Sequence, residues 1–175
     1  HIDGIVELVP TFASLTVFYD CTIISSKKLK KKVEALINGK ECDVKSTAKV
    51  WNIPVCYDDE FALDMKNVCS HTNLEREEVI KLHTSKPYLI YMLGFLPGFA
   101  YLGGMDERLF TPRLKTPRLE IFEGAVGIGG EQTGIYPIAS PGGWQLIGKT
   151  PVKVFDKSKE SPILYKAGDY IKFSA

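Results

Sequence analysis

Apolar and polar positions form short two-residue-period runs near the start of the chain, so Ile5 to Val9 and Leu15 to Tyr19 each read as a β-strand. A helical pattern follows, capped by Ser26 and running through Ile37. Its outer face carries Lys27, Lys28, Lys30, Lys31 and Lys32, a run that reads as a solvated helix face rather than a nucleic-acid patch. Val50 to Cys56 predicts another strand. Two helices come next, the second starting at Asn73, where Glu75, Glu77 and Glu78 sit at the positive end of the dipole.

Beyond residue 84 the pattern changes. Up to Lys86 there are two glycines and two prolines, whereas Gly94 to Pro151 holds twelve glycines and six prolines. Short apolar runs at Tyr88 to Leu93, Val126 to Ile128, Gly134 to Ile138, Trp144 to Ile147, Val152 to Phe155 and Ile171 to Phe173 predict an all-β unit, a barrel or sandwich. The expected organisation is α+β, with a first domain over 1–84 and a second over 85–175. Pro87 to Met105 carries no charged residue over a span close to the roughly 20 residues a membrane helix needs. Gly94, Pro97, Gly98, Gly103 and Gly104 interrupt it, so a buried strand leading into an apolar loop is expected instead.

Composition narrows the function classes. With 45% hydrophobic and 25% charged residues, the 175-residue chain is globular and long enough to bury a core without staples. Its formal charge of +1 gives no reason to expect nucleic acid or an anionic membrane as partner. Cys21, Cys42, Cys56 and Cys69 form no CxxC pair and are read as buried or inert thiols of a cytoplasmic protein. No Asn-x-Ser/Thr acceptor occurs, which agrees with that compartment. The chain opens on His1, so its native start is expected upstream.

Gly143 to Thr150 spells the phosphate-loop pattern of a glycine, four residues and Gly-Lys-Thr. Such a loop must open a helix, yet Pro151 to Phe155 continues as a β-type run, so a glycine-rich β-turn is the structural expectation. Five segments then stand in fixed order: Gly94 to Gly104 (GFLPGFAYLGG), Pro112-Arg113, Pro117-Arg118, Gln132 to Pro137 (QTGIYP) and Ser140 to Trp144 (SPGGW). With Glu7-Leu-Val-Pro10, Ile53 to Tyr57 (IPVCY) and the Leu82-His-Thr84 triplet, they resemble the family of the 5-oxoprolinase B subunit, also known as allophanate hydrolase subunit 1 and as the sporulation histidine-kinase inhibitor KipI.

The resemblance implies a small ferredoxin-like N-terminal domain, here truncated, followed by a cyclophilin-like β-barrel. It also implies a subunit, inactive alone, of a complex that uses ATP, as Mg-ATP, to open 5-oxo-L-proline to L-glutamate. The partners it implies are the A subunit of that complex together with a homologous cyclophilin-like C subunit. Two other readings remain open: a binding protein that blocks the autophosphorylation of a sensor histidine kinase, and a component of a hydrolase acting on allophanate or another amide. A stand-alone prolyl isomerase rests on fold analogy only.

Arg113 and Arg118 are the substrate-binding candidates. Each follows a proline that stiffens the loop, and a guanidinium fork matches the carboxylate of 5-oxoproline or a phosphoryl group. The alternative is pairing with Glu120, Glu123 or loop carbonyls. Gln132 and Thr133 lie among glycines that permit close approach of a ligand or a second backbone. With Phe99 and Tyr136 they complete the expected cleft, unless Gln132 merely closes a turn. Phe95, Leu96 and Trp144 are assigned to a partner interface. His83 is a proton-transfer candidate whose alternative is a helix cap. No carboxylate cluster marks a metal site. Where family members read Val-Pro-Ala-Gly-Ser-Val-Gly, this chain has Ile121 to Gly127 (IFEGAVG), losing a hydroxyl at Ala125.

Overall fold

The computed structural model describes residues 2–39 and 48–175 and divides the chain into two compact units, 1–47 and 48–175. In the first unit β1 (Ile5–Pro10) and β2 (Leu15–Tyr19) form an antiparallel pair, and α1 (Ser26–Asn38) follows. The cap is Ser25 rather than Ser26, its side chain accepting from the Lys28 amide. All five lysines of the α1 face are exposed, and Leu29 is buried on the other side. Among its described residues the unit has two strands and one helix, a part of the four strands and two helices that make up a ferredoxin-like sandwich.

The second unit is built on one seven-stranded sheet, in the order β10-β7-β8-β5-β4-β11-β3. In chain order its elements are β3 (Val50–Pro54), α2 (Met65–Thr72), α3 (Arg76–His83), β4 (Tyr88–Leu93), β5 (Ala100–Gly103), β6 (Arg118–Ile121), β7 (Ala125–Gly129), β8 (Gln132–Ile135), β9 (Ser140–Gly142), β10 (Gln145–Lys149) and β11 (Tyr170–Ser174). Strands β6 and β9 pair separately. The mixed α+β class is as expected, but the division is not. β3 pairs in parallel with β11, so the expected boundary near residue 84 falls inside this unit, between α3 and β4. A strand cannot leave the sheet that satisfies its backbone.

The edges of this curled sheet meet. Just past β3, Cys56 exchanges two backbone hydrogen bonds of 2.8 and 2.9 Å with Lys149 at the end of β10. Further along the same edge, the Asp64 amide donates to the Leu146 carbonyl at 2.8 Å, and the Leu146 amide returns a 2.7 Å bond to the Asp64 carboxylate. At the opposite end the Asp169 carboxylate accepts from the Lys49 amide and the Trp51 indole, tying β3 to β11.

Several local expectations are corrected. Asn73 ends α2 in the left-handed region at φ 57°, and α3 starts three residues later, at Arg76, behind a capping box of Glu75 and Glu78. Val152 to Phe155 forms no strand, having only a bridge from Phe155 to Ile163. The Gly-Lys-Thr segment is no β-turn either: Gln145 to Lys149 is strand β10, paired with β7, and no helix follows it. Cys21 is exposed rather than buried, Cys56 and Cys69 are half-buried, and Cys42 lies outside the described residues. Among the described residues no helix is long and apolar enough to cross a membrane.

Arg118 closes the clamp at Asp64 with two bonds of 2.9 and 2.7 Å. Asp64 is 2% exposed, so removing its carboxylate leaves both a guanidinium and the Leu146 amide without their partner. Asp64→Ala is expected to cost about 2–4 kcal/mol, somewhat less than the roughly 3–5 kcal/mol of a fully buried broken pair because Arg118 is partly solvated. Urea unfolding followed by circular dichroism measures it; a loss below about 1 kcal/mol would contradict the clamp.

Candidate functional site

Packing on the two faces of the sheet separates two clusters of buried side chains. The larger one includes Val126, Ile128, Leu102, Ile90 and Phe173. The smaller one is Phe99, Ile121, Ala125, Tyr136, Trp144 and Leu146, and three of its members, Phe99, Tyr136 and Trp144, line a cleft. Strand β7 belongs to both and is buried along its whole length. Ala125 is packed in this cluster at 0% exposure and does not line the cleft, so the position singled out for its missing hydroxyl is here a packing site.

The cleft has a volume of about 280 Å³ and is walled by Phe95, Phe99, Tyr101, Tyr136 and Trp144. The rings meet edge to face, with Phe99 centroids 5.3 Å from Trp144, 5.4 Å from Tyr136 and 5.1 Å from Tyr101. Trp144 needs the glycines around it: a methyl group at Gly129 would stand 2.5 Å from its indole, and one at Gly134 would stand 3.2 Å away. The close approach expected at this glycine cluster is thus made by a tryptophan from the same chain.

Arg113 is the cation of the cleft. Its guanidinium carbon lies 5.8 Å from the centre of the Trp144 ring, a cation–π contact, and no carboxylate among the described residues pairs with it. Burial pushes the Tyr136 phenol up, against the opposing pull of the Trp144 backbone amide and the Arg113 charge, so it stays a neutral hydroxyl. At the rim Phe95 has φ 66°, rare for a bulky residue. The Leu96 amide donates across it to the Gly94 carbonyl at 2.8 Å, a strained three-residue turn that holds the Phe95 ring 62% exposed above Phe99.

The remaining sequence candidates lie elsewhere. Arg118 has its fork on Asp64 and does not line the cleft; the partner carboxylate is neither Glu120 nor Glu123. Gln132, half-buried at the start of β8, is also outside the cleft lining. Thr133 and His83 meet inside the larger core at 0% exposure. There the Thr133 hydroxyl donates to the Gly127 carbonyl at 3.1 Å, which makes it the acceptor for His83 Nε2–H at 2.7 Å. His83 Nδ1 is then the acceptor of the Tyr57 hydroxyl at 2.8 Å, and the imidazole stacks on Phe173 at 4.5 Å. Every polar atom of this chain of groups is satisfied, and burial pushes the His83 pKa down to about 3. The helix end is capped by the Tyr88 hydroxyl on the His83 carbonyl. Trp144, at 5% exposure, is a wall of the cleft rather than a free interface residue; of the assigned interface side chains only Phe95 is exposed.

Sequence reasoning did not anticipate Tyr101 in the wall or Asp64 as the Arg118 partner. Asp64 lies 54 positions from Arg118, so no local spacing marks it.

Comparison with known proteins places the chain in a family. The profile of the carboxyltransferase domain, subdomains C and D, matches residues 1–165. The 5-oxoprolinase B subunit of Bacillus subtilis is 46% identical over 97% of this chain and 75% of its own length. The chain belongs to the 5-oxoprolinase B subunit family. A second member, from Haemophilus influenzae, is 45% identical over 97% of this chain and 78% of its own length. The crystal structure of a conserved uncharacterized protein of Pyrococcus horikoshii superposes with a TM-score of 0.70 at 42% identity, covering 99% of this chain and 79% of that one.

Two outcomes follow from the geometry of this family member. A buried neutral histidine with a folded pKa near 3 releases the proton that the unfolded chain, with a pKa near 6.5, still binds. Its contribution is complete above pH 6.5 and falls as pH drops towards 3, at up to roughly 1.4 kcal/mol per pH unit. Urea midpoints measured between pH 4 and 7.5 should therefore fall with acidification in the parent and fall less steeply in His83→Gln. Gly129→Ala should cost about 1–3 kcal/mol by pushing the Trp144 indole off β7. Thermal unfolding reads the cost, and near-ultraviolet circular dichroism reads the moved indole; an unchanged aromatic spectrum would contradict the packing.

Proposed function

We propose that this chain works as the B subunit of an ATP-dependent 5-oxoprolinase, with Arg113 holding the carboxylate of 5-oxo-L-proline in the aromatic cleft. The observation that carries the reading is the Arg113 guanidinium, free of any carboxylate among the described residues and seated on Trp144 at the mouth of that cleft. A fork of donors fits a carboxylate, and Phe99, Tyr136 and Trp144 offer apolar faces to a five-membered lactam ring. Tyr136, kept protonated by burial, can donate a hydrogen bond to an anion beside Arg113.

In this reading the chain binds and orients the substrate, excludes water from one side of it and stabilises negative charge. The C subunit, with a related barrel, completes the cleft, and the A subunit supplies the remaining catalytic groups, so the chain alone is inactive. ATP belongs to another subunit. The Gly-Lys-Thr segment does not fit a nucleotide, because Lys149 lies 5.0 and 5.2 Å over the rings of Phe61 and Phe122 and no helix N-terminus follows it. We assign the first domain to a ferredoxin-like fold, the barrel to a cyclophilin-like one, and the complex to the cytoplasm. The kinase-inhibitor reading is set aside. It needs an exposed apolar strip over Phe95, Leu96, Phe99 and Tyr101, yet Phe99 is buried and Leu96 and Tyr101 are half-buried.

The test is glutamate release from 5-oxoproline and ATP by the chain mixed with the A and C subunits, against mixtures lacking each one. Activity is expected only with all three. Arg113→Ala should raise KM for 5-oxoproline about ten- to hundredfold, the equivalent of one charge-assisted contact of roughly 1.5–3 kcal/mol. An unchanged KM would remove Arg113 from the site.

A further inference from the structure

We propose that Gln145 is a positioning residue for this site: it fixes the Pro112 carbonyl and thereby sets where the Arg113 guanidinium stands. The inference rests on the reading of the cleft given above. Three consecutive residues leading into β10, Gly143 to Gln145, grip three consecutive residues of the arginine loop in antiparallel order. The Gly143 carbonyl accepts from the Leu114 amide at 2.7 Å, the Trp144 ring carries the Arg113 guanidinium at 5.8 Å, and Gln145 Nε2 donates to the Pro112 carbonyl at 2.8 Å. Arg113 is thus held through the peptide groups on both sides of it and through its own head group. An arginine otherwise has several freely rotating bonds, and ordering it in advance lowers the entropic cost of binding an anion.

Gln145 stands out because packing does not explain it. It is 7% exposed, and its Oε1 is buried with no hydrogen-bond partner. The amide cannot be turned round, since a carbonyl only accepts and Nε2 must face Pro112. A buried acceptor left unsatisfied costs stability, and a leucine of similar size would carry no such atom. The bond to Pro112 is what glutamine adds. Pro112 is an exposed residue of a surface loop, so water is at hand to take over its carbonyl when the donor is removed, and little loss of stability is expected.

Stability and binding should therefore move in opposite directions, which a merely structural glutamine would not produce. In the complete complex Gln145→Leu should raise KM for 5-oxoproline about three- to tenfold, corresponding to one neutral hydrogen bond. Its kcat should stay within about twofold and its Tm should match or exceed the parent's. Gln145→Met serves as a second variant if the branched leucine disturbs the strand. In the Arg113→Ala background either substitution should add nothing to KM, because the residue acts through the arginine.

An unchanged KM in both single variants overturns the proposal. So does a full additional factor on top of Arg113→Ala, which would mean that Gln145 acts independently. A Tm lowered by several degrees with kcat and KM both impaired would make Gln145 structural and also overturns it. If Arg113→Ala itself leaves KM unchanged, the reading of the cleft falls and the positioning role falls with it. If Arg113→Ala raises KM while the Gln145 variants are silent, only the positioning role is lost.

Discussion

The carboxylate of Asp64 is the point on which the second unit turns. It stands at the N-terminal end of α2 but gives its side chain to other elements and makes no capping bond to the helix. One oxygen receives the amide of Leu146 on the edge of β10, and both receive the fork of Arg118 at the start of β6. A sheet edge, a helix start and the separate β6–β9 pair are therefore fixed relative to one another by a single buried anion. Its charge is tolerated in the interior because a cation and a backbone donor surround it. A bare β10 edge would offer unpaired backbone groups to any passing strand; Asp64 and Cys56 cover it from within the chain.

With that edge secured, β10 is a rigid base for the cleft. Trp144, one residue before the strand, lies across Gly127, Gly129 and Gly134, and the glycines act as an imprint of the indole. Their value lies in the missing side chains rather than in unusual backbone angles, since none of the three has a positive φ. Rings stack on this bed up to the strained turn at Phe95, so the cleft wall descends through aromatic contacts to the sheet. Arg113 then lies on a surface that cannot readily move.

How much of this was legible depends on range. The runs at Ile5 to Val9, Leu15 to Tyr19, Val50 to Cys56, Tyr88 to Leu93 and Ile171 to Phe173 are long enough for periodicity to declare them, and strands are found at each. Strands β5, β6 and β9 span three or four residues among glycine and proline, too short for any period to show. Val152 to Phe155 has the right alternation but finds no neighbour to pair with along its length. Phe99, Tyr136 and Arg113 were singled out because they lie in motifs, and the structure brings them together with Trp144, which the sequence reading places at an interface. The long-range partners were not legible: Asp64, which holds Arg118, and Gln145, which holds the Pro112 carbonyl beside Arg113, act across 54 and 33 positions, and nothing in their local sequence declares it. Thr133 and His83 were noticed for their chemistry and turn out to be joined by hydrogen bonding inside the core, where reactive residue types serve packing.

The parallel pairing of β3 with β11 has a bearing on how the protein comes into being. Val50 to Pro54 emerges from the ribosome long before Tyr170 to Ser174, and its first sheet neighbour is that late strand. During synthesis the early strand must wait with its hydrogen-bonding groups unmatched, since the chain between supplies no substitute partner along its length. Sheet closure is therefore a late event with a long loop to bring together, the kind of topology that folds slowly and exposes apolar strands meanwhile. The nascent chain should be most in need of chaperone protection in the interval between completion of β10 and release of residues 170–174.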